Sequence, residues 1–153
     1  MHETYPSDVR RAVTAAADEA IRRGDRRIGT DHLLLGVLAT AEPEAIAALG
    51  TDFDSASAAF DRLDVDALGS IGIRATAPPV RVRQTTARRL PLTSASRAVL
   101  QRSLRYAVAA RGRRRIHSDN IILSLLDCTP PDPAAALLDV LGCDRAAIRD
   151  RLG

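Results

Sequence analysis

From Ser7 onward the chain alternates in blocks of helical period. Val9, Ala12, Val13, Ala16, Ala20 and Ile21 recur on one face, Ser7 and Asp8 can cap the helix they imply, and Gly24 ends it. Thr30 is placed to cap a second helix whose buried stripe is Leu33, Leu34, Val37 and Leu38. Pro43 suits the first turn of a short third helix closed by Gly50, and Asp52 to Leu63 reads as a fourth, with Phe53, Ala56, Ala59, Phe60 and Leu63 on one side. Between Gly69 and Pro91 the pattern fails: Gly69, Gly72, Pro78, Pro79 and Pro91 punctuate it, and Val80-Arg81-Val82-Arg83 alternates like a short extended segment. This stretch reads as a connection over the surface. Helical period returns after Thr93 with Ala95, Val99, Leu100, Leu104, Ala107 and Val108, and stops near Gly112. Ser118 then caps a leucine-rich helix through Leu126, Pro130-Pro131-Asp132-Pro133 opens another ended by Gly142, and Asp144 caps the last.

The two halves match each other. Ile28-Gly29-Thr30-Asp31-His32-Leu33-Leu34-Leu35-Gly36-Val37-Leu38 aligns with Ile116-His117-Ser118-Asp119-Asn120-Ile121-Ile122-Leu123-Ser124-Leu125-Leu126, and Leu49-Gly50-Thr51-Asp52 aligns with Leu141-Gly142-Cys143-Asp144. Each half is four helices in the same order, and such a unit buries its apolar faces best against its copy. The expectation is one all-α domain over residues 1–153, pseudo-twofold and eight-helical. Its first repeat spans 5–68, its connection 69–91 and its second repeat 92–153.

Composition narrows the chemistry. All 22 cationic residues are arginine, against 19 acids, for a net charge of +3 on 153 residues. Without lysine there is no Schiff-base or general-base lysine and no phosphate-binding loop of the G-x-x-x-x-G-K-[ST] type, so ATP-driven work would need another chain. Hydrophobic residues at 46% and charged residues at 27% describe a globular chain. Aromatics, only 3% (Tyr5, Phe53, Phe60 and Tyr106), leave a core of small aliphatic residues suited to closely packed helices. No run approaches the roughly 18 apolar residues needed to cross a bilayer. The first residues lack a secretion signal, and Cys128 and Cys143 imply no disulfide framework. A cytoplasmic location is expected.

The repeated motif resembles the Clp N-terminal repeat domain, the substrate- and adaptor-receiving module at the front of ClpA- and ClpC-type AAA+ unfoldases. Ile28-Gly29-Thr30-Asp31-His32-Leu33-Leu34-Leu35 is close to that family's I-G-T-E-H-[LI]-L-L, and Leu92-Thr93 after Pro91 looks like the Phe-Thr that opens its second repeat. Tyr5 stands where the first repeat opens with Phe. This chain departs in carrying Asp31 and Asp119 for Glu, His117 for Gly, Asn120 for His and Leu92 for an aromatic, and Arg111 adds one residue between the fifth and sixth helices.

The resemblance implies a non-enzymatic binding module, its partners a Clp unfoldase, adaptors, substrate proteins or peptide-like ligands. In ClpC-type members the motif's acid takes part in recognising phosphorylated arginine, which points here to Thr30 with Asp31 and Ser118 with Asp119, and to grooves at the repeat starts, Tyr5 and Leu92. A helix N-terminus offers free N–H groups to phosphate, and a carboxylate beside it can pair with a guanidinium. The same residues are also ordinary helix caps, and the two roles are compatible. His32 reads first as a hydrogen-bonded packing residue. Cys128, Cys143 and His117 lack zinc-ligand spacing, no nucleophile signature occurs, and neither cofactor nor metal is implied. The clusters Arg22-Arg23-Arg26-Arg27 and Arg111-Arg113-Arg114-Arg115 read first as cations complementing helix C-termini. The competing class is a basic helical nucleic-acid-binding regulator, which no aromatic platform or recognition-helix motif supports. Met1 and the stop after the eighth helix favour a free-standing protein over a piece of a longer unfoldase.

Overall fold

Alanine at every turn of the first helix leaves a shallow face on which a second helix can lie close. In the structure, a computed structural model that describes residues 7–74, 90–110 and 117–153, this is how the fold begins. Helix α1 (Ser7–Arg22) buries Val9, Ala12, Ala16 and Ala20 against α2 (Thr30–Thr40). The approach is so close that a Cβ on Gly36 would collide with the Ala12 carbonyl oxygen and come within 2.8 Å of the Ala16 nitrogen. Helices α3 (Pro43–Leu49) and α4 (Phe53–Ser70) follow, then α5 (Ser94–Ala109), α6 (Ser118–Leu126), α7 (Pro133–Val140) and α8 (Arg145–Leu152). The described residues are thus all-helical apart from one isolated parallel bridge between Ile28 and Leu92.

The second half solves the same packing problem with different side chains. Helix α5 buries Ser96, Val99, Leu100, Ser103 and Ala107, and Val99 stands in it where Ala12 stands in α1. Ser124, aligned with Gly36, donates its hydroxyl to the Val99 carbonyl at 2.7 Å, so a hydrogen bond replaces the bare backbone contact. Helices α2 and α6 sit at the centre. Leu33, Leu34, Leu35 and Val37 are fully buried, as are Ile121, Ile122, Leu125 and Leu126, and the two helices touch each other within one continuous core.

Several of the expected punctuation residues do what their chemistry suggests. Asp52, Thr93, Asp132 and Asp144 accept hydrogen bonds from the Ser55, Ser96, Ala134 and Ala147 amides as N-caps. Pro43 opens α3, while Gly24, Gly50 and Gly142 take the left-handed conformation after their helices. Helix α4 runs on past Leu63 to Ser70, because after Leu63 its residues are half-buried or exposed and leave no apolar period to read. Thr30 and Ser118 are not caps: Gly29 and His117 occupy those positions, and each hydroxyl residue is the first helical residue instead. The Val80–Arg83 segment, Tyr5 and Arg111–Arg115 lie outside the described residues.

Arginines of α8 close carbonyls left open at the ends of other helices. Arg145 donates to the Leu126 and Cys128 carbonyls at 3.1 and 2.6 Å, Arg149 to the Leu126 carbonyl at 3.0 Å, and Arg151 to the Ala48 carbonyl at 3.0 Å. A guanidinium fork reaches two acceptors in one plane, which suits the ends of α6 and α3. No helix among the described residues is long and apolar enough to cross a membrane.

Replacing Gly36 by Ala forces α1 and α2 apart and is expected to cost about 1–3 kcal/mol, read as a lower urea midpoint by circular dichroism. Both cysteines are free, and burial pushes the Cys128 thiol up to about 11. At pH 8 it is therefore expected to react with a disulfide reagent roughly a thousandfold more slowly than a thiol that is fully ionised, a rate a colorimetric thiol assay measures.

Candidate functional site

The first amides of a helix have no partner within the helix, and the motif supplies side-chain acceptors for two amides at the start of α2. The Gly29 N–H donates to His32 Nδ1 at 2.9 Å, and the His32 N–H donates to Asp31 Oδ1 at 2.9 Å. Because Nδ1 accepts, Nε2 carries the ring proton and donates it to Asp25 Oδ2 at 2.8 Å. Asp25 is brought there by Gly24, whose positive φ of 74° turns the chain back at the end of α1. His32 is thus a buried, hydrogen-bonded packing residue at a helix start.

Two further ties fix this turn. Ile28 donates its N–H to the Pro91 carbonyl at 2.9 Å and accepts from the Thr93 N–H at 3.0 Å and the Ser96 hydroxyl at 2.8 Å. The chain entering α5 is thereby pinned beside the start of α2, and Leu92, half-buried, packs against the core there. Thr30 Oγ1 donates to Asp132 Oδ1 at 2.7 Å and accepts from the Ala134 N–H at 3.2 Å, which binds the start of α2 to the start of α7.

Beside this turn lies an open cleft of about 360 Å³ whose lining includes Arg26, Arg27, Asp31, Phe60, Asp64 and Thr93. Phe60 comes from α4. Its ring lies 5.6 Å from the His32 ring, and the Arg23 guanidinium stacks over it at 3.9 Å from the centroid. Arg23, its side chain only 7% exposed, is bonded to Asp61 at 2.6 Å and the Ser57 hydroxyl at 3.0 Å, so it buttresses α4 rather than simply complementing the end of α1. Burial pushes the Asp31 carboxyl up from its ordinary value, opposed by the electrostatic pull of the neighbouring His32 ring and by the His32 N–H bond. A partly desolvated carboxylate near an aromatic ring and the exposed Arg26 and Arg27 can pair with a guanidinium or ammonium and hold an anionic group close by.

Of the expected site residues, Asp31 lines this cleft. Thr30 is buried and its hydroxyl is spent on α7. Ser118 is buried and Asp119 half-buried at the start of α6, where the His117 N–H donates to Asn120 Oδ1 at 2.8 Å as Gly29 does to His32. His117 Nδ1 also lies 3.2 Å from Asp8 Oδ2 of α1, a tie across the two halves. Asp119 is not part of the Asp31 cleft, so the two acids address separate places. Sequence reasoning missed Asp25, Arg23 and Phe60; Gly24 before Asp25 was the available signal, whereas the Arg23–Phe60 contact spans two helices and leaves none. Among the described residues no group of three or more His, Cys, Asp or Glu is arranged to hold a metal ion.

Thr30→Val keeps the shape and removes both hydrogen bonds to α7, an expected loss of about 1–2 kcal/mol in chemical denaturation. Asp31→Asn tests the opposite sign. A carboxyl whose folded pKa is raised contributes most below its unfolded pKa and loses that contribution as pH rises through the folded value. The Asn variant, which keeps the acceptor for the His32 N–H, is expected to be at least as stable as the parent at pH 7, with the difference closing below about pH 4.

Comparison with known proteins agrees with this architecture. A family model described as the Clp repeat (R) N-terminal domain matches residues 4–140. The crystal structure of the N-terminal domain of the caseinolytic protease associated chaperone ClpD from Arabidopsis thaliana superposes with a TM-score of 0.68 at 22% identity, covering 98% of this chain and 92% of that one. With most of its length matched by that model, the chain belongs to the Clp repeat N-terminal domain family.

Proposed function

We propose that this chain is a non-enzymatic protein-binding module of the Clp unfoldase and protease system, acting in the cytoplasm. It receives or sequesters adaptors, tagged substrates or peptide-like ligands, and the cleft beside the start of α2 is where the first half does so. One observation carries the reading: Asp31 sits half-buried at the mouth of a turn held rigid from three sides, with Arg26, Arg27 and Phe60 in the same cleft. That arrangement favours a side chain that is cationic at one end and anionic at the other, which phosphoarginine is. Asp119 serves the corresponding place at the start of α6. The division into a repeat over 5–68, a connection over 69–91 and a repeat over 92–153 belongs to this proposal, supported by the shared first-turn hydrogen bond of His32 and Asn120.

A calorimetric titration of a phosphoarginine peptide into the parent chain, Asp31→Ala and Asp119→Ala tests it. Loss of a charge-assisted hydrogen bond worth about 1.5–3 kcal/mol lowers affinity about 10–100-fold in each variant. Unchanged affinity in both would contradict the assignment. Duplex DNA binding that falls steeply with salt would instead favour a nucleic-acid regulator.

A further inference from the structure

We propose that His32 is a proton-operated positioning residue for this cleft, and that Asn120, which holds the matching place at the start of α6, cannot act in the same way. The inference rests on the binding reading for its consequence, but the device itself is a matter of hydrogen bonds already described. His32 Nδ1 holds the Gly29 N–H at 2.9 Å, and Asp31 Oδ1 stands 3.4 Å from the same nitrogen. An imidazole with one proton, on Nε2, can accept from Gly29 and donate to Asp25 at once. When Nδ1 takes a second proton from solvent, its lone pair is gone. The Gly29 N–H must leave it, and the new Nδ1–H faces the nearest available acceptor, Asp31 Oδ1. One proton enters; the Gly29 bond breaks and an ion pair with Asp31 forms.

The surroundings make this exchange consequential. Among the described residues, the charged groups lining the cleft beside the ring are Asp25 from the turn after α1, Asp31 from α2, Asp64 from α4, and Arg26 and Arg27 ahead of α2; Arg23 of α1 stacks on Phe60, and Thr93, the N-cap of α5, lines the same cleft. Asp31 is the carboxylate that a cationic ligand would use. Once paired with His32 it is neutralised from within, while the Gly29 amide is released at the edge of the cleft. Acidification therefore shifts the cleft from favouring cations toward favouring anions. At the start of α6 the same structural bond is made by Asn120 Oδ1 to the His117 N–H at 2.8 Å. An amide oxygen gains no proton, so Asn120 cannot make this exchange; the imidazole of that turn, His117, does not accept the bond and faces Asp8 of α1 instead, at 3.2 Å. Asn120 in the place of His32 keeps the hydrogen bond and removes this particular exchange from the start of α6.

Nuclear magnetic resonance of the nitrogen-15-labelled chain tests this without any ligand. As the pH is lowered, the Gly29 amide proton is expected to move upfield in a single step that coincides with arrival of the second proton on the His32 ring, read from its ring nitrogens. His32→Asn, which copies the arrangement of the other half, is expected to fold and to lose that step. A Gly29 amide that stays in place while the His32 ring titrates overturns the proposal, as does a step that persists in His32→Asn. A phosphoarginine peptide added at pH 8 reports separately on the binding reading. If it fails to shift Asp31 while the Gly29 step is present, the binding reading falls and the proton-operated turn stands.

Discussion

Residues 32–38 of α2 are all buried, and the fold is organised around holding the first turn of that helix. The His32 and Gly29 amides are taken by Asp31 and by the His32 ring, and Asp25 accepts the proton on the ring's other nitrogen. Once those groups are committed, the turn ahead of them becomes a rigid strip. Ile28 can then anchor the chain entering α5, and Thr30 can reach across 104 residues to the start of α7. The candidate cleft inherits its rigidity from these ties, which is what a binding site placed on the end of a buried element gains over one placed on a loop.

Much of this was legible because it is local. Acids and hydroxyls before apolar runs at Asp52, Thr93, Asp132 and Asp144 are caps, and Pro43, Gly50 and Gly142 bracket helices, since each choice is settled within four residues. The small-residue face of α1 gave its buried side correctly. Thr30 misled because a threonine before a leucine run looks like a cap, whereas its partner lies in another helix far along the chain. Arg23 misled in the same way: a cation at a helix end satisfies a local rule, but its burial against Phe60 and Asp61 depends on where α4 crosses. The cleft was legible only as far as Asp31; its other walls are set by tertiary contact.

The two halves also show how one geometry tolerates different chemistry. Gly36 lets backbones touch, and Ser124 replaces that touch with a hydrogen bond to the aligned carbonyl. His32 and Asn120 both accept the amide that opens their helices, though only one of them can change charge. Having no lysine, the chain uses guanidinium groups where helix carbonyls need closing, as Arg145, Arg149 and Arg151 do, because a planar fork serves two acceptors and an ammonium does not.

The start of α2 is a platform fixed by the core rather than a mobile loop. Native-state hydrogen exchange reads this directly at the Ile28, Gly29, His32 and Thr93 amides. The account predicts that all four exchange only through global unfolding, with the same free energy as the buried amides of α2 and the same dependence on low concentrations of denaturant. Exchange of these amides through a separate, lower-energy local opening while α2 stays protected would contradict it.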